Sequence, residues 1–369
     1  MPNYTLILAL SLIMPLSMVL AVTPSAIKIA HFKGLVAKVK NRSSHSKPTP
    51  IVGGIPIMIA ILFSSLILMP NTMWEQTQFI LAALLVVFMV GFRDDVKDLR
   101  PGLKMAGQII AITILVSKGG VRLDSMYGLA GTHWSFPDWL SILISGFTLL
   151  VVSNAFNLID GINGLAGTVG TIACCTFGVW FFIVGEIWLG LLAMATAGSL
   201  LGFLAFNMAT AKTFMGDSGS LVVGLMMGVL AVKFIDVAAS APVPPAYAIA
   251  NPVAVCVGIL VIPLFDTIRV FVTRIARGQS PFAADKRHIH HMLIASGFSH
   301  LESTAMLGLT NLLIISLVLT LDTMLGVHGI IAATLSVALG LTFLLHRNVR
   351  RINARRRALG DFSGVKTEP

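Results

Sequence analysis

The sequence predicts an all-α, polytopic integral membrane protein with about 11 transmembrane helices. Of its 369 residues, 56% are hydrophobic and only 11% are charged, and the mean hydropathy is +0.88. Soluble chains of this length are less apolar. A helix needs about 20 mainly apolar residues to cross the hydrocarbon core of a bilayer, and such runs recur along the whole chain.

Apolar runs separated by Pro, Gly or polar clusters predict the individual spans. The fourth run is short and contains Gln108, and the first lacks the flanking features of a cleaved signal peptide, so we expect it to be retained. The three cysteines lie inside apolar runs without metal-ligand spacing and are predicted to be packing residues. The predicted spans are about 4–24, 51–69, 77–92, 104–117, 138–153, 165–184, 188–207, 218–237, 250–268, 304–322 and 328–346.

Charge orients these spans. Of the 26 Lys and Arg residues, 23 lie in alternate connections (25–49, 93–104, 208–217 and 269–303) and in the tail, and only three lie on the other side. Cytoplasmic loops carry an excess of Lys and Arg. The amino terminus is therefore predicted outside and the carboxyl terminus in the cytoplasm. With no repeat or soluble domain visible, 1–346 is predicted to be one transmembrane domain and 347–369 a basic cytoplasmic tail.

Four stretches that contain acidic residues fall on the predicted cytoplasmic side. Ionisable residues near the membrane are costly and usually functional. Because an even number of spans separates each stretch from the next, we expect them to form one site. Carboxylates gathered at a membrane surface favour a cation and phosphate chemistry. The stretches are GFRDDVKDLR (91–100), NAFNLIDGING (154–164), FMGDSGS (214–220) and DKRHIHH (285–291).

The first stretch contains Asp94, Asp95 and Asp98. One interpretation is a solvated loop in which these acids pair with the three basic residues interleaved among them. The other is a functional cluster, because adjacent carboxylates repel each other unless a divalent metal or a proton lies between them. These residues alone leave both interpretations open.

Polar residues recur at every third position where the fifth span ends: Asn154, Asn157, Asp160 and Asn163. In a continuous helix they would form one stripe, which can simply hold helices together. Two glycines nearby interrupt the helix and allow a ligand to approach closely. The pattern therefore favours a binding site.

The third and fourth stretches also allow two interpretations. Asp217 lies directly before a span, where it can belong to the cap of the helix or lie beside the free amide groups that bind phosphate. Three histidines, His288, His290 and His291, suggest zinc. No cysteine or suitably spaced carboxylate completes a zinc site, and the basic neighbours favour a phosphate ligand.

The order of these motifs resembles a known family. GFxDD, NAxNLIDG, FMGDxGSL and SPFxxDxxHIHHxL, with the earlier element RSSHSKPTPIVGGIPI (42–57), are similar to the signatures of the polyprenyl-phosphate N-acetylhexosamine-1-phosphate transferases (glycosyltransferase 4 type). The HIHH form resembles the bacterial undecaprenyl-phosphate GlcNAc-1-phosphate transferase branch. The resemblance extends from about residue 25 to 303.

The resemblance implies a reaction and its partners. A Mg²⁺-dependent enzyme, with Mn²⁺ as a substitute, would transfer a sugar 1-phosphate, expected to be GlcNAc 1-phosphate, from a UDP-sugar to undecaprenyl phosphate and release UMP. The product would initiate a surface polysaccharide such as O-antigen, common antigen or teichoic acid at a bacterial inner membrane. A homodimer is compatible with the sequence, and no nucleic-acid partner is expected.

The resemblance also implies residue roles. Asp217 would be the leading metal ligand, and Asp94 and Asp95 would face the lipid phosphate, either accepting its proton or helping to hold the metal. Asp160 and His288 complete the implied catalytic set. The implied substrate-binding residues are Asn157, Asn163, Asn207, Phe214 (which would stack on uracil), His290, His291, Arg269, Lys47 and His45.

One position departs from the family pattern. The family usually reads Asp-Gly-x-Asp-Gly, whereas this chain has Asn163 in place of the second Asp. An Asn oxygen still accepts a hydrogen bond from the uracil N–H, but without a charge. Three hypotheses remain open: the transferase, with this or another UDP-N-acetyl sugar; a secondary transporter, which would keep ionisable residues near the membrane midplane; and a membrane pseudoenzyme or scaffold.

Overall fold

The computed structural model describes residues 4–36, 49–208, 210–240, 242–279 and 287–358. Within these ranges the chain is helical, with isolated β-bridges but no β-strand. The α-helices in chain order are α1 Tyr4–Lys33, α2 Gly54–Leu68, α3 Trp74–Val96, α4 Pro101–Ser117, α5 Asp138–Ile159, α6 Leu165–Ile183, α7 Ile187–Asn207, α8 Gly216–Ser240, α9 Pro252–Ile259, α10 Val261–Ile275, α11 Ile289–Ala295, α12 His300–Leu321 and α13 Val327–Ala358.

The prediction of an all-helical membrane protein is confirmed, and each predicted span falls on a helix. The predicted span at 250–268 is a pair of helices, α9 and α10, that meet at an angle of 83°. In the part of the chain that the structure describes, seven helices are long and apolar enough to cross a membrane, or eight if this pair is one span. They are α1, α5, α6, α7, α8, α12 and α13. The count of about 11 and the orientation of the termini stay predictions.

Two boundaries differ from the sequence-based expectation. α3 continues to Val96, so Asp94 and Asp95 are helical residues rather than part of the loop after the third span. α13 continues to Ala358, across the predicted boundary at residue 347 between the domain and the tail. In both cases an apolar helix continues through polar and charged residues. This is possible because the hydrogen bonds of a helix join backbone groups and do not depend on the polarity of the side chains.

α8 lies at the centre of the bundle. In its most apolar stretch 89% of the residues are buried, compared with 22% in α1 and in α13, which lie at the periphery. α3, α5 and α6 pack against α8, and the fully buried rings of Phe177 and Phe234 meet at 5.3 Å. The first turn of α8 carries Asp217, so its position is set by several neighbouring helices.

Glycines allow two helices to approach the start of α8. A Cβ added at Gly91 of α3 would lie 2.5 Å from the carbonyl carbon of Asp217, and one at Gly54 of α2 would lie 2.3 Å from the backbone nitrogen of Gly219. No side chain fits at such distances. These two glycines therefore bring α2 and α3 into backbone contact with the turn that carries Asp217.

Gly198 and Gly202 make a similar contact between α7 and α1. A Cβ at Gly198 would lie 2.1 Å from the carbonyl oxygen of Leu12, and one at Gly202 would lie 2.8 Å from Cβ of Val19. Two small residues four positions apart form a known packing motif of membrane helices, since they let two backbones meet. This contact fixes the first helix on the bundle.

Gly198→Ala is expected to lower the free energy of unfolding by about 1–3 kcal/mol, because the methyl group overlaps the backbone of α1. Gly340→Ala in α13 is the matched control, since a Cβ there meets nothing within 4 Å. Thermal unfolding of the purified protein in detergent measures both. An unchanged midpoint for Gly198→Ala would contradict the close packing of α1 on α7.

Candidate active site

The carboxylate of Asp95 holds the first turn of α8. Its Oδ1 accepts a hydrogen bond from the backbone N–H of Asp217 at 2.8 Å, and its Oδ2 accepts from the backbone N–H and the hydroxyl of Ser218 at 3.0 and 2.6 Å. The first N–H groups of a helix lack partners within it and carry partial positive charge. Both oxygens of Asp95 are therefore bonded to α8, and its structural role is to position that helix.

Gly216, just before Asp217, completes this arrangement. Its φ of +71° is one that L side chains rarely adopt, so glycine is favoured there. A Cβ at this position would also lie 2.6 Å from Oδ2 of Asp95. The glycine lets the chain turn sharply into α8 while the carboxylate stays against its first amides.

Asp94 and Asp217 lie together around Lys104, from the first turn of α4. The Lys104 Nζ is 3.2 Å from Oδ2 of Asp94 and 2.5 Å from Oδ2 of Asp217. The other oxygen of Asp94 accepts a hydrogen bond from the Leu99 N–H at 2.6 Å. All three charged side chains are partly buried. The ammonium group offsets the repulsion that two close carboxylates would otherwise feel.

The two adjacent aspartates differ in proton affinity. Burial raises the pKa of Asp95 to about 6, although the hydrogen bonds from Ser218 and Asp217 oppose this effect. Burial also acts on Asp94, but hydrogen bonds with the Asp217 carboxyl group and the Leu99 N–H, together with the charge of Lys104, outweigh it and lower the pKa of Asp94. Asp94 is therefore the more acidic of the pair.

The end of α5 lies beside Asp217. Asn157 donates hydrogen bonds from Nδ2 to Oδ1 of Asp217 at 2.5 Å and to the Ser220 hydroxyl at 2.8 Å. Asp160, which directly follows the last residue of α5, has a partly exposed surface, but protein groups surround its carboxyl group. Burial, and then the negative charges of Asp217 and Asp95, raise the pKa of Asp160 to about 7. Asp160 can therefore exchange a proton near neutral pH.

The turn that follows α5 contacts the histidine motif, which consists of His288, His290 and His291. A Cβ at Gly161 would lie 2.3 Å from Nε2 of His290, so the imidazole lies directly against the backbone of the turn. On the other side, Asn207 accepts a hydrogen bond from the Gly164 N–H at 2.6 Å and donates one to the Thr213 carbonyl at 2.8 Å. Asn207 therefore stabilises this turn through its side chain, and its contact with a nucleoside stays a prediction.

The backbone of Asn163 contacts the start of α12. Its backbone N–H donates to Nδ1 of His300 at 3.3 Å, and its carbonyl oxygen accepts from the Thr304 hydroxyl at 2.7 Å. Only 6% of its surface is exposed. The amide that was expected to meet uracil is thus enclosed in this conformation, and that contact also stays a prediction.

Asp266 of α10 anchors the histidine motif. Its Oδ2 is 3.0 Å from Nδ1 of His288, and its Oδ1 accepts hydrogen bonds from the Ile289 N–H at 3.0 Å and from Nη2 of Arg269 at 2.9 Å. Arg269 also donates to the carbonyl oxygen of Arg287. The predicted substrate-binding residue Arg269 thus joins α10 to the start of α11.

His290 is enclosed, with 1% of its surface exposed and neither ring nitrogen hydrogen-bonded within the described ranges. Its ring stacks on His288 with centroids 5.6 Å apart, and the His291 ring lies 4.3 Å away. Burial, followed by the charge of His291, lowers the pKa of His290 to about 3. His290 is therefore a neutral imidazole at physiological pH.

Phe214 lies two residues before α8 and pairs with the chain that leads into α2. Its N–H donates to the Pro50 carbonyl at 2.8 Å, and its carbonyl oxygen accepts from the Gly53 N–H at 2.9 Å. These bonds bring the end of the early predicted element beside the site. His45 and Lys47 fall outside the residues that the structure describes, so their phosphate contacts stay predictions.

The predicted site residues form two groups, one around Asp217 and one around His288. The two groups meet where His290 contacts Gly161. Two residues that contact these groups, Lys104 and Asp266, belong to none of the sequence motifs. In the sequence, Lys104 stands out only as one of the basic residues of the predicted connection 93–104. Asp266 is the single acid within the predicted span 250–268, and an acid inside a span is itself a signal of function. The first group is Asp94, Asp95, Asn157, Asp160 and Asp217, and the second is Arg269, His288, His290 and His291.

Asp94 and Asp217 are the residues that fit a divalent metal. Their carboxylates lie around one cationic group, and Mg²⁺ usually takes one or two protein carboxylates and completes its shell with water and substrate phosphates. Asp95 fits less well because both of its oxygens are bonded to α8. Among the side chains that the structure describes, no group of three or more His, Cys, Asp or Glu has the arrangement of a metal site.

Comparisons of the sequence with known proteins identify one matching family and several relatives. Glycosyl transferase family 4 matches residues 77–235. A decaprenyl-phosphate N-acetylglucosaminephosphotransferase of Mycolicibacterium smegmatis is 30% identical over 301 residues, covering 75% of this chain and 72% of that protein. A probable undecaprenyl-phosphate N-acetylglucosaminyl 1-phosphate transferase of Bacillus subtilis is 30% identical over 302 residues (82% and 81%). An undecaprenyl-phosphate alpha-N-acetylglucosaminyl 1-phosphate transferase of Yersinia pestis is 28% identical over 306 residues (82% and 79%).

Asp95→Ala is expected to lower the free energy of unfolding by about 2–3 kcal/mol, because donors at the start of α8 lose a charged acceptor. Asp98→Ala, three positions further along and exposed, is the control and should change stability by less than about 0.5 kcal/mol. Thermal unfolding in detergent compares them. Equal stability of the two variants would show that Asp95 does not hold α8.

Proposed function

The chain belongs to glycosyl transferase family 4, and we propose that it transfers GlcNAc 1-phosphate from UDP-GlcNAc to undecaprenyl phosphate and releases UMP. The names of the Bacillus subtilis and Yersinia pestis relatives support this acceptor and this sugar. A phosphate oxygen of the lipid attacks the phosphorus that carries the sugar. The bond between that phosphorus and the oxygen of UMP breaks, which leaves a lipid-linked pyrophosphoryl sugar.

The observation that carries this proposal is the cluster of Asp94, Lys104 and Asp217 beside Asp160 and the histidine motif. Transfer between two phosphates requires the site to offset their negative charges as they approach. The Lys104 ammonium is partly accessible and lies between the acids, where it can neutralise phosphate charge. His288 and His291 contact the pyrophosphate of the donor, and Phe214 stacks on uracil.

Mg²⁺ is part of the proposal, with Mn²⁺ as a substitute. Asp217 and Asp94 would hold the ion, which would supply positive charge that stabilises the phosphates in the transition state. Asp95 acts through the position of α8. Asp160, whose pKa is raised to about 7, is suited to accept the remaining proton of the lipid phosphate, because a phosphate monoester loses its second proton at about pH 6.

The topology proposal follows from the same residues. We place 11 spans in a bacterial inner membrane, with the amino terminus outside and the site in the cytoplasm, where nucleotide sugars are made. The contacts of Asp217 with Asn157, and of His290 with Gly161, support one face for all the motifs. The product would initiate a surface polysaccharide.

The purified protein is expected to convert labelled UDP-GlcNAc and undecaprenyl phosphate into UMP and a labelled lipid when Mg²⁺ is present, and to stop when it is chelated. Asp217→Asn should abolish turnover while the thermal midpoint stays near that of the wild type. Product formed solely from another UDP-N-acetyl sugar would replace the donor in the proposal. Absence of UMP with every such sugar would refute the transferase and favour a pseudoenzyme.

Lys104→Met is expected to lower kcat/KM by about 100-fold or more, because a preorganised charge that meets the reacting phosphates is lost. Lys97→Met is the matched control, since Lys97 is exposed in the connection between α3 and α4, and its kcat/KM should stay within about twofold of the wild type. Initial rates at saturating Mg²⁺ measure both. A loss below about tenfold for Lys104→Met would remove Lys104 from the catalytic machinery.

A further inference from the structure

Asp266 is a buried carboxylate, and its hydrogen-bond partners lie either at the start of the histidine motif or in its own helix, α10. It is 2% exposed. A charge taken out of water is costly unless it is bonded on most sides, and here the bonds come from Nδ1 of His288, the Ile289 N–H and the Arg269 guanidinium. Such a carboxylate stabilises one arrangement of α10 and α11.

We infer that Asp266 is a positioning residue: it fixes the ring of His288 and the start of α11, so that the histidine motif meets the donor pyrophosphate in a single orientation. This inference rests on the proposed function. It adds a residue that acts through His288 and does not touch the substrate.

The contact with Asp266 determines which ring nitrogen of His288 carries the hydrogen. A carboxylate only accepts hydrogen bonds, so the 3.0 Å contact with Nδ1 requires the hydrogen on Nδ1. Nε2 lies on the opposite edge of the ring and is left for a ligand. Functional histidines are commonly oriented in this way, by a partner on the second nitrogen.

Asp266 also holds the first turn of α11. Oδ1 of Asp266 accepts the N–H of Ile289, the first residue of α11, whose N–H has no partner inside that helix. His290 follows in the same turn and lies against Gly161. Asp266 therefore also holds the contact that joins the histidine motif to the turn after α5.

Asp266→Asn tests the inference, because the amide has the same shape but offers an N–H₂ group to partners that are themselves donors. The expected result is a fall in kcat/KM for UDP-GlcNAc of about 10–100-fold. Asp322→Asn is the matched control: Asp322 is 4% exposed and its carboxylate accepts the N–H groups of Ala250 and Asn251 at 2.8 Å each, before α9. It should lower the thermal midpoint similarly without changing kcat/KM.

A double-mutant cycle separates positioning from a general loss of stability. If Asp266 acts mainly through the His288 ring, adding Asp266→Asn to His288→Gln should cost less than about a further threefold, and that remaining loss measures its effect on the start of α11. Asp266→Glu, which keeps the charge, should recover part of the activity. Independent, multiplicative losses, or a loss for Asp266→Asn no larger than for Asp322→Asn, would overturn the inference.

A spectroscopic readout does not depend on turnover. In ¹⁵N-histidine NMR of the wild type, the His288 signal, assigned by its absence in His288→Gln, is expected to show hydrogen on Nδ1. If Asp266→Asn fails to fold, this spectrum and Asp266→Glu still decide the question. A wild type that releases no UMP would refute the proposed function alone, whereas an active wild type with hydrogen only on Nε2 would refute the role of Asp266 alone.

Discussion

The bond between the Asp95 carboxylate and the first turn of α8 is the interaction on which the rest of the site depends. It sets the position of Asp217, and through Asp217 the positions of Lys104 and Asn157. The close approach of α3 that makes this bond possible requires Gly91. A single carboxylate thus links the packing of the central helices to the geometry of the charged cluster.

Asp266 repeats this arrangement at the start of α11. Acids near a membrane are costly, and both Asp95 and Asp266 offset that cost by accepting the free N–H groups at the start of a helix that carries predicted site residues. The side chains of Asp160 and His290 differ from them, since neither is hydrogen-bonded to another residue in the described ranges.

Much of the fold was predictable because apolar runs report helices directly, and each predicted span falls on a helix. The bend between α9 and α10 was not predictable, since an apolar run has the same composition whether it is straight or bent by 83°. Successive residues of a helix point about 100° apart, and α3 continues through Asp94 and Asp95. For this reason the Asp94 carboxylate faces Lys104 and the Asp95 carboxylate faces α8. Two identical adjacent residues in a sequence do not reveal this difference.

The sequence by itself determined the class of protein, the set of motifs and the family, because composition and motif order do not require knowledge of distances. Tertiary structure alone decided which groups meet. Lys104 comes to lie between Asp94 and Asp217, which is 113 positions away from it in the chain, and Asp266 comes to lie beside His288. Hydrogen bonds and charge pairing act over a few ångströms, so the role of each acid depends on neighbours that only the packing of the helices brings within reach.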